Sequence, residues 1–222
     1  MTTKDQIIKL LERCSAEERL EVFNYLRKSI RIHPLEGKLN VQAELILEAI
    51  DRASDLTLRG IRGIIAEVAL LVDVLKNLDG WNINEIIGDA TYDFLIEDSV
   101  GPVNIQVKMQ RKVEGIPMVR RGKFVVEVQR TRGGTDATTG RATRPYRFGQ
   151  FDILAVSMQP STNKWDAFLY TLNRWLIPRT VDPDLIKVLQ PISPMLNDDW
   201  TDNLETCIEW FRSGINKNIA SF

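Results

Sequence analysis

Tyr92-Asp93-Phe94-Leu95-Ile96-Glu97 and, after a short turn through Gly101-Pro102, Val103-Asn104-Ile105-Gln106-Val107-Lys108-Met109 form the stretch where the chain changes period. Upstream, apolar residues recur at helical spacing. Here they alternate with polar ones, the two-residue repeat of a strand with one face buried. Gly, Asp and Pro punctuate the runs at 83–87, 92–97, 103–109 and 124–129, which read as consecutive strands of a meander. Two more strands are expected at 151–158 and 167–172, after an irregular arginine-rich segment from about 131 to 150.

Upstream of the switch, the run 62–78 is apolar almost all round and reads as a centrally packed helix ended by Asp79-Gly80. Before it, 4–14 has helical spacing, and Ser15-Ala16-Glu17-Glu18 reads as a capping box opening a second helix. That helix is expected to stop near His33-Pro34, because proline disfavours helix in the residue before it. A further helix is expected over 41–53, and one amphipathic helix over 204–211 is expected to cover a sheet edge. The chain thus divides into an amino-terminal helical subdomain, 1–55, and an α/β domain, 56–222.

Composition removes most chemistries. Among 222 residues there are two cysteines, Cys14 and Cys207, far apart and outside any C-x-x-C pair, and one histidine, His33. They are expected to be reduced core thiols and a helix-end residue. A Cys/His zinc site and a two-histidine iron site are excluded, and a Ser-His-Asp triad could be built only on His33. The amino terminus has no basic start, apolar stretch and small-residue cleavage site, and no segment is long and apolar enough to span a membrane. A cytoplasmic location is expected. What remains is carboxylate, amide and lysine chemistry.

In a hairpin, Asp93 at the entry of one strand and Gln106 and Lys108 on the next can face the same side, since residues i and i+2 share a face. An aspartate and a lysine so placed suit a Mg²⁺-dependent phosphodiester hydrolysis. Mg²⁺ is bound by a few oxygens with water completing the shell, and an ammonium can orient the attacking water or stabilise developing charge. Gln106 offers only a neutral amide oxygen. The second carboxylate is expected from Glu67, a costly residue within the apolar run 64–75 unless it is paired or bound to a cation.

The order of a helix with a glutamate, then Gly-Trp, then Asp93, then Gln106-x-Lys108 resembles the PD-(D/E)XK, or restriction-endonuclease-like, nucleases. The similarity is to the branch with glutamine at the acidic position of the second motif. It spans about residues 60–180 and includes Tyr146-Arg147-Phe148-Gly149-Gln150-Phe151-Asp152-Ile153-Leu154-Ala155-Val156 and Trp175-Leu176-Ile177-Pro178. Tyr92 stands where that family has proline. The resemblance implies a central mixed sheet flanked by helices, with Glu67, Asp93, Gln106 and Lys108 as catalytic group and Glu67, Asp93 and Gln106 as Mg²⁺ ligands. A second register stays open: Glu127 and Gln129 on the 124–129 strand match the Glu-x-Gln variant of the same motif.

From Lys108 to Arg147 there are eleven basic residues against three acidic, a local excess that suits a polyanion although the whole chain has net charge −1. Arg120, Arg121, Lys123, Arg130, Arg132, Arg141, Arg144 and Arg147 are the candidate DNA contacts, several in a loop mixing arginine, threonine and glycine. The expected function is a DNA endonuclease acting on double-stranded DNA, a site-specific type II restriction enzyme working as a homodimer, since one site per chain must serve two strands. A repair or junction-resolving nuclease of the same fold and a catalytically inactive DNA-binding module are the alternatives.

Overall fold

A computed structural model of the chain describes residues 2–86, 90–130, 133–135, 140 and 144–222. The chain forms two compact units, residues 1–58 and 59–222.

The first unit is helical: α1 (Thr3–Arg13), α2 (Ala16–Arg27), α3 (Pro34–Leu39) and α4 (Ala43–Asp51). The Ser15/Glu18 capping box is present, the Ser15 hydroxyl accepting from Glu18 N–H at 3.2 Å and the Glu18 carboxylate from Ser15 N–H at 2.7 Å. His33-Pro34 departs from expectation. α2 ends at Arg27, and His33 is the N-cap of α3 with Pro34 in its first turn. A proline that cannot continue a helix is well suited to start one, because the first-turn N–H it lacks has no intrahelical partner.

α5 (Asp55–Ala69) opens the path into the second unit. It continues as a π-helical turn, Leu70–Val74, where Leu75 N–H reaches back five residues to Leu70 C=O, and then a 3₁₀ turn, Leu75–Asn77. The apolar run is buried on one side only. Ala66, Ala69, Leu70, Leu71 and Leu75 enter the core, whereas Ile64, Ile65, Val68 and Val72 are exposed. The expected all-round burial is therefore corrected to a single packed stripe.

The strands are β1 (Asn82–Glu85), β2 (Phe94–Glu97), β3 (Pro102–Met109), β4 (Lys112–Val113), β5 (Ile116–Pro117), β6 (Val119–Arg120), β7 (Lys123–Glu127) and β8 (Ile153–Ser157). After the short helix α6 (Gln159–Thr162) come β9 (Phe168–Leu172), β10 (Leu189–Ile192) and the helix α7 (Leu204–Arg212). The central mixed sheet has the order β1-β2-β3-β8-β9, with β3 and β8 parallel and the other pairs antiparallel. The first three strands are the expected meander; the fourth is not. β7 pairs with β10 and β6 in a separate three-stranded sheet, and β3 takes β8 as its neighbour. Alternation alone cannot tell these arrangements apart, since β7 and β8 both present buried valines.

β8 is buried throughout, as befits a strand covered on both faces. α7 buries Leu204, Cys207 and Ile208 and packs on β9 and β8. The core continues through Phe94, Ile96, Ile105, Val107, Ile153, Ala155, Tyr170, Trp175 and Trp200. Both cysteines are free thiols, Cys207 buried and Cys14 half-buried. Among the described residues no helix is long and apolar enough to cross a membrane.

Candidate functional site

The site is built on the β2–β3 hairpin. Asp93 immediately precedes β2 and continues its ladder: Asp93 N–H donates to Ile105 C=O at 2.9 Å, and Ile86 N–H donates to Asp93 C=O at 3.2 Å. Its carboxylate turns towards β3, where Oδ2 accepts the Val107 N–H at 2.7 Å and the Gln106 Nε2 at 2.5 Å. A buried strand N–H needs a partner, and here the Asp93 side chain supplies it. No hydrogen bond to Oδ1 is present among the described residues.

Gln106 is 2 % exposed. Its Nε2 also donates to Val107 C=O at 3.1 Å, and its Oε1 accepts the Tyr146 hydroxyl at 3.0 Å. As placed, the amide oxygen faces Tyr146 and the NH₂ faces Asp93. A metal-ligand role for Gln106 therefore requires a half-turn of the amide; in the observed orientation Gln106 holds the aspartate still. Tyr146 was not singled out in the sequence. It comes from forty residues downstream, at the start of the 146–156 stretch, and nothing there marks it as a partner of Gln106.

Lys108, two residues on and on the same face of β3, holds its ammonium 5.3 Å from the centroid of the Tyr146 ring. It makes no hydrogen bond or ion pair among the described residues. Burial pushes its pKa down, the charges of Asp93 and Glu67 oppose that, and nearby Arg130 adds to the lowering. Glu67, on α5 one residue after buried Ala66, is half-buried and likewise has no hydrogen bond or ion pair among the described residues. Burial raises its carboxyl to about 7; Asp93 adds to the rise and Lys108 counters it. Asp93 is also raised, first by burial, with Lys108 and the Val107 N–H pulling the other way. Three ionisable groups thus share one half-buried space, and the loss of water is the largest cause shifting each pKa towards the neutral form.

The rival pair lies at the end of β7. Glu127 ends β7 in the three-stranded sheet, where its carboxylate is engaged by Arg111 and by the Gln129 amide. The structure brings Glu67, Asp93, Gln106 and Lys108 together and leaves Glu127 and Gln129 in a pairing of their own.

The basic residues separate in the same way. Arg130 lies near enough to Lys108 for its charge to be felt there, and its N–H donates to Arg144 C=O at 2.9 Å. Gly133 passes so close to Arg144 that a Cβ on it would lie 2.6 Å from the Arg144 Cβ, so the loop doubles back tightly at that point. Arg147 is half-buried, with its N–H held by the Gln150 side chain at 2.8 Å. Lys123, Arg120 and Arg121 meet the end of the chain instead. Lys123 Nζ donates to Ala220 C=O at 2.8 Å and Ser221 C=O at 2.9 Å, Arg121 donates to Phe222 C=O at 3.3 Å, and Arg120 lies over the Phe222 ring. Arg132 and Arg141 lie outside the described residues.

No group of three or more His, Cys, Asp or Glu side chains is gathered for a metal among the described residues. Among the described residues the site offers two carboxylates, Glu67 and Asp93, a donor set that suits a cation keeping most of its water, as Mg²⁺ does.

No family model matches the chain, and no curated protein matches it. Among solved structures, that of a bacterial homing endonuclease aligns with 65% of this chain and 81% of its own, at 22% identity and a TM-score of 0.38. A likeness of that size fixes neither family nor activity.

Proposed function

We propose that this protein is a Mg²⁺-dependent endonuclease that hydrolyses phosphodiester bonds in double-stranded DNA. The observation that carries the reading is the convergence of Glu67, Asp93 and Lys108, half-buried, within reach of one another's charge and without ion-pair partners among the described residues. Unpaired carboxylates taken partly out of water are unfavourable in a site that only has to be stable, and a bound cation removes the cost.

Glu67 and Asp93 would hold the cation, which when bound lowers the pKa of water and offsets charge on the phosphoryl oxygens. Gln106 fixes the Asp93 carboxylate, and Tyr146 fixes Gln106. Lys108 would place an ammonium beside the reacting phosphate, where it orients water or offsets developing charge. Arg130, whose charge acts on Lys108, would be the phosphate contact nearest the site, with Arg144 and Arg147 as further contacts.

The test is direct. Purified protein with plasmid and phage DNA should give discrete fragments in Mg²⁺ and none in EDTA; intact DNA across a range of divalent cations would sink the reading. Discrete bands on plain duplex would favour a site-specific restriction enzyme, and cutting confined to branched DNA a junction-resolving one. Binding with no cutting under any condition would favour an inactive DNA-binding module, the reading that Gln106 in place of a carboxylate supports.

A further inference from the structure

β3 and its continuation carry two glutamines of equal burial whose amides are in opposite states. Alternation along the strand puts Gln106, Lys108 and Gln110 on one face and Ile105, Val107 and Met109 on the other. Gln110 follows the last residue of β3 and stays in the ladder, its N–H donating to Ser157 C=O at 3.0 Å. Both glutamines are 2 % exposed. Gln106 has partners at both ends of its amide: Asp93 and Val107 C=O for the NH₂, Tyr146 for the oxygen. Gln110 has none. Its Nε2 and Oε1 are both buried without a hydrogen bond, and no other side chain among the described residues has both ends of its polar group in that state.

A buried amide left so costs stability, where an apolar side chain of the same length would not. The surroundings limit what can complete it. Across the ladders its neighbours are apolar: Val126 in the bridge to β7, and Met158 one position past the Met109–Ser157 pair on β8. At 2 % exposure the amide does not meet DNA itself. The polar side chain beside it on its own face is Lys108, which makes no hydrogen bond or ion pair among the described residues and holds its ammonium 5.3 Å from the Tyr146 ring centroid. A ring face attracts the charge but does not fix the direction of the N–H groups as an oxygen acceptor does. Same-face neighbours on a strand stand about 7 Å apart at the backbone, a gap that a lysine and a glutamine side chain can close between them.

We propose that Gln110 is a positioning residue for Lys108, its amide oxygen accepting a hydrogen bond from the Lys108 ammonium when DNA occupies the site. The inference rests on the nuclease reading and adds to it how the lysine is aimed. A phosphoryl oxygen takes one of the three ammonium N–H groups and Gln110 Oε1 takes a second, so two acceptors set the direction of the charge. Gln106 and Gln110 then bracket Lys108 on one strand face, the first holding the aspartate and the second the lysine.

Gln110→Met keeps the length of the side chain and removes both polar ends. It should raise Tm in metal-free buffer, because an unpartnered amide leaves the core. It should lower kcat for plasmid cleavage in Mg²⁺ by about 10–100-fold, the scale of a misaimed group, while the Kd for the same DNA in Ca²⁺ stays within about 2-fold. Added to Lys108→Ala it should bring no further loss of the residual rate, since a residue that acts through the lysine has nothing left to aim. Lysine ¹⁵N labelling reads the contact without cleavage. In protein bound to a duplex oligonucleotide in Ca²⁺, the Lys108 ammonium, assigned by its loss in Lys108→Ala, should exchange protons with water several-fold more slowly in the wild type than in Gln110→Met. A lower Tm, an unchanged kcat, a loss repeated in full on Lys108→Ala, or equal exchange in the two proteins would each overturn the inference. A wild type that cuts no DNA while the two exchange rates differ would instead sink the nuclease reading and leave the contact standing.

Discussion

β3 and β7 bear nearly the same short pattern, a polar or acidic residue two before a second polar one on a strand of otherwise apolar residues, and the fold treats them oppositely. On β7 the Glu127 carboxylate is met at once by Arg111 and Gln129, with the charged pair 31% and 38% exposed, so charge is matched and water completes the shell. On β3 Lys108 stands with Asp93 and Glu67 in half-buried space, and none of the three makes an ion pair among the described residues. Matched charges at a sheet margin are a stability feature of modest size. Unmatched, desolvated charges on a packed face are where a bound cation or phosphate changes the free energy most.

The sharpest way to break this contrast is to remove one group from each strand. Asp93→Ala and Lys108→Ala should each lower cleavage by about 10²–10³-fold or more, by loss of a cation ligand or of a positioned charge, while DNA binding in Ca²⁺ persists. Glu127→Gln should leave the rate close to that of the wild type. Cleavage assays on plasmid decide it, and an active Lys108→Ala beside an inactive Glu127→Gln would transfer the chemistry to β7.

Tyr146→Phe comes next in size. It removes the donor to Gln106 Oε1 at a position where the glutamine is 2 % exposed, and an unsatisfied buried acceptor costs about 1–3 kcal/mol. Urea denaturation should show that loss. A fall in cleavage larger than the loss of stability accounts for would show that Tyr146 acts through the orientation of Asp93.

Glu67→Gln sharpens the comparison through pH. With its carboxyl raised from an ordinary 4.5 to about 7, chiefly by burial, Glu67 keeps its proton in the folded chain at pH values where the unfolded chain has lost it. The folded state then binds more protons across that window, so stability falls as pH rises from about 4.5 to 7. The glutamine variant lacks this loss. In metal-free buffer its Tm should match the wild type near pH 4.5 and exceed it by a few degrees at pH 8, with the gap narrowing when Mg²⁺ is added. Parallel Tm profiles would show that the Glu67 carboxyl is not held in a desolvated site.

The smallest effect belongs to the matched pair. Arg111→Ala should cost no more than about 1 kcal/mol, since exposed ion pairs contribute little. A loss several times larger in thermal melts would mean that the margin of the second sheet is more desolvated than its exposure indicates.

Much of this was legible before any coordinates. The Ser15/Glu18 cap, the β2–β3 hairpin, and the strands near 153–157 and 168–172 follow from local pattern, because caps and alternation are set by neighbours within a few residues. The grouping of Asp93, Gln106 and Lys108 was legible for the same reason: one hairpin and a period of two place them. Glu67 could be marked as costly among apolar neighbours, although the one-sided burial of its helix was not visible. The contact of Tyr146 with Gln106 had no signature, since the two lie forty residues apart in sequence.

By itself the sequence determined the Ser15/Glu18 cap, the strands of the central sheet and the shared face of Gln106 and Lys108, since these depend on spacings of two to four residues along one chain. Only the tertiary structure decided that β3 takes parallel β8 as its neighbour, that β7 leaves for another sheet, and that Lys123 meets residues 220 and 221. Those outcomes depend on pairings across tens of residues, where several partners satisfy the same local alternation. The choice among them rests on how the whole core packs and which charges are left matched.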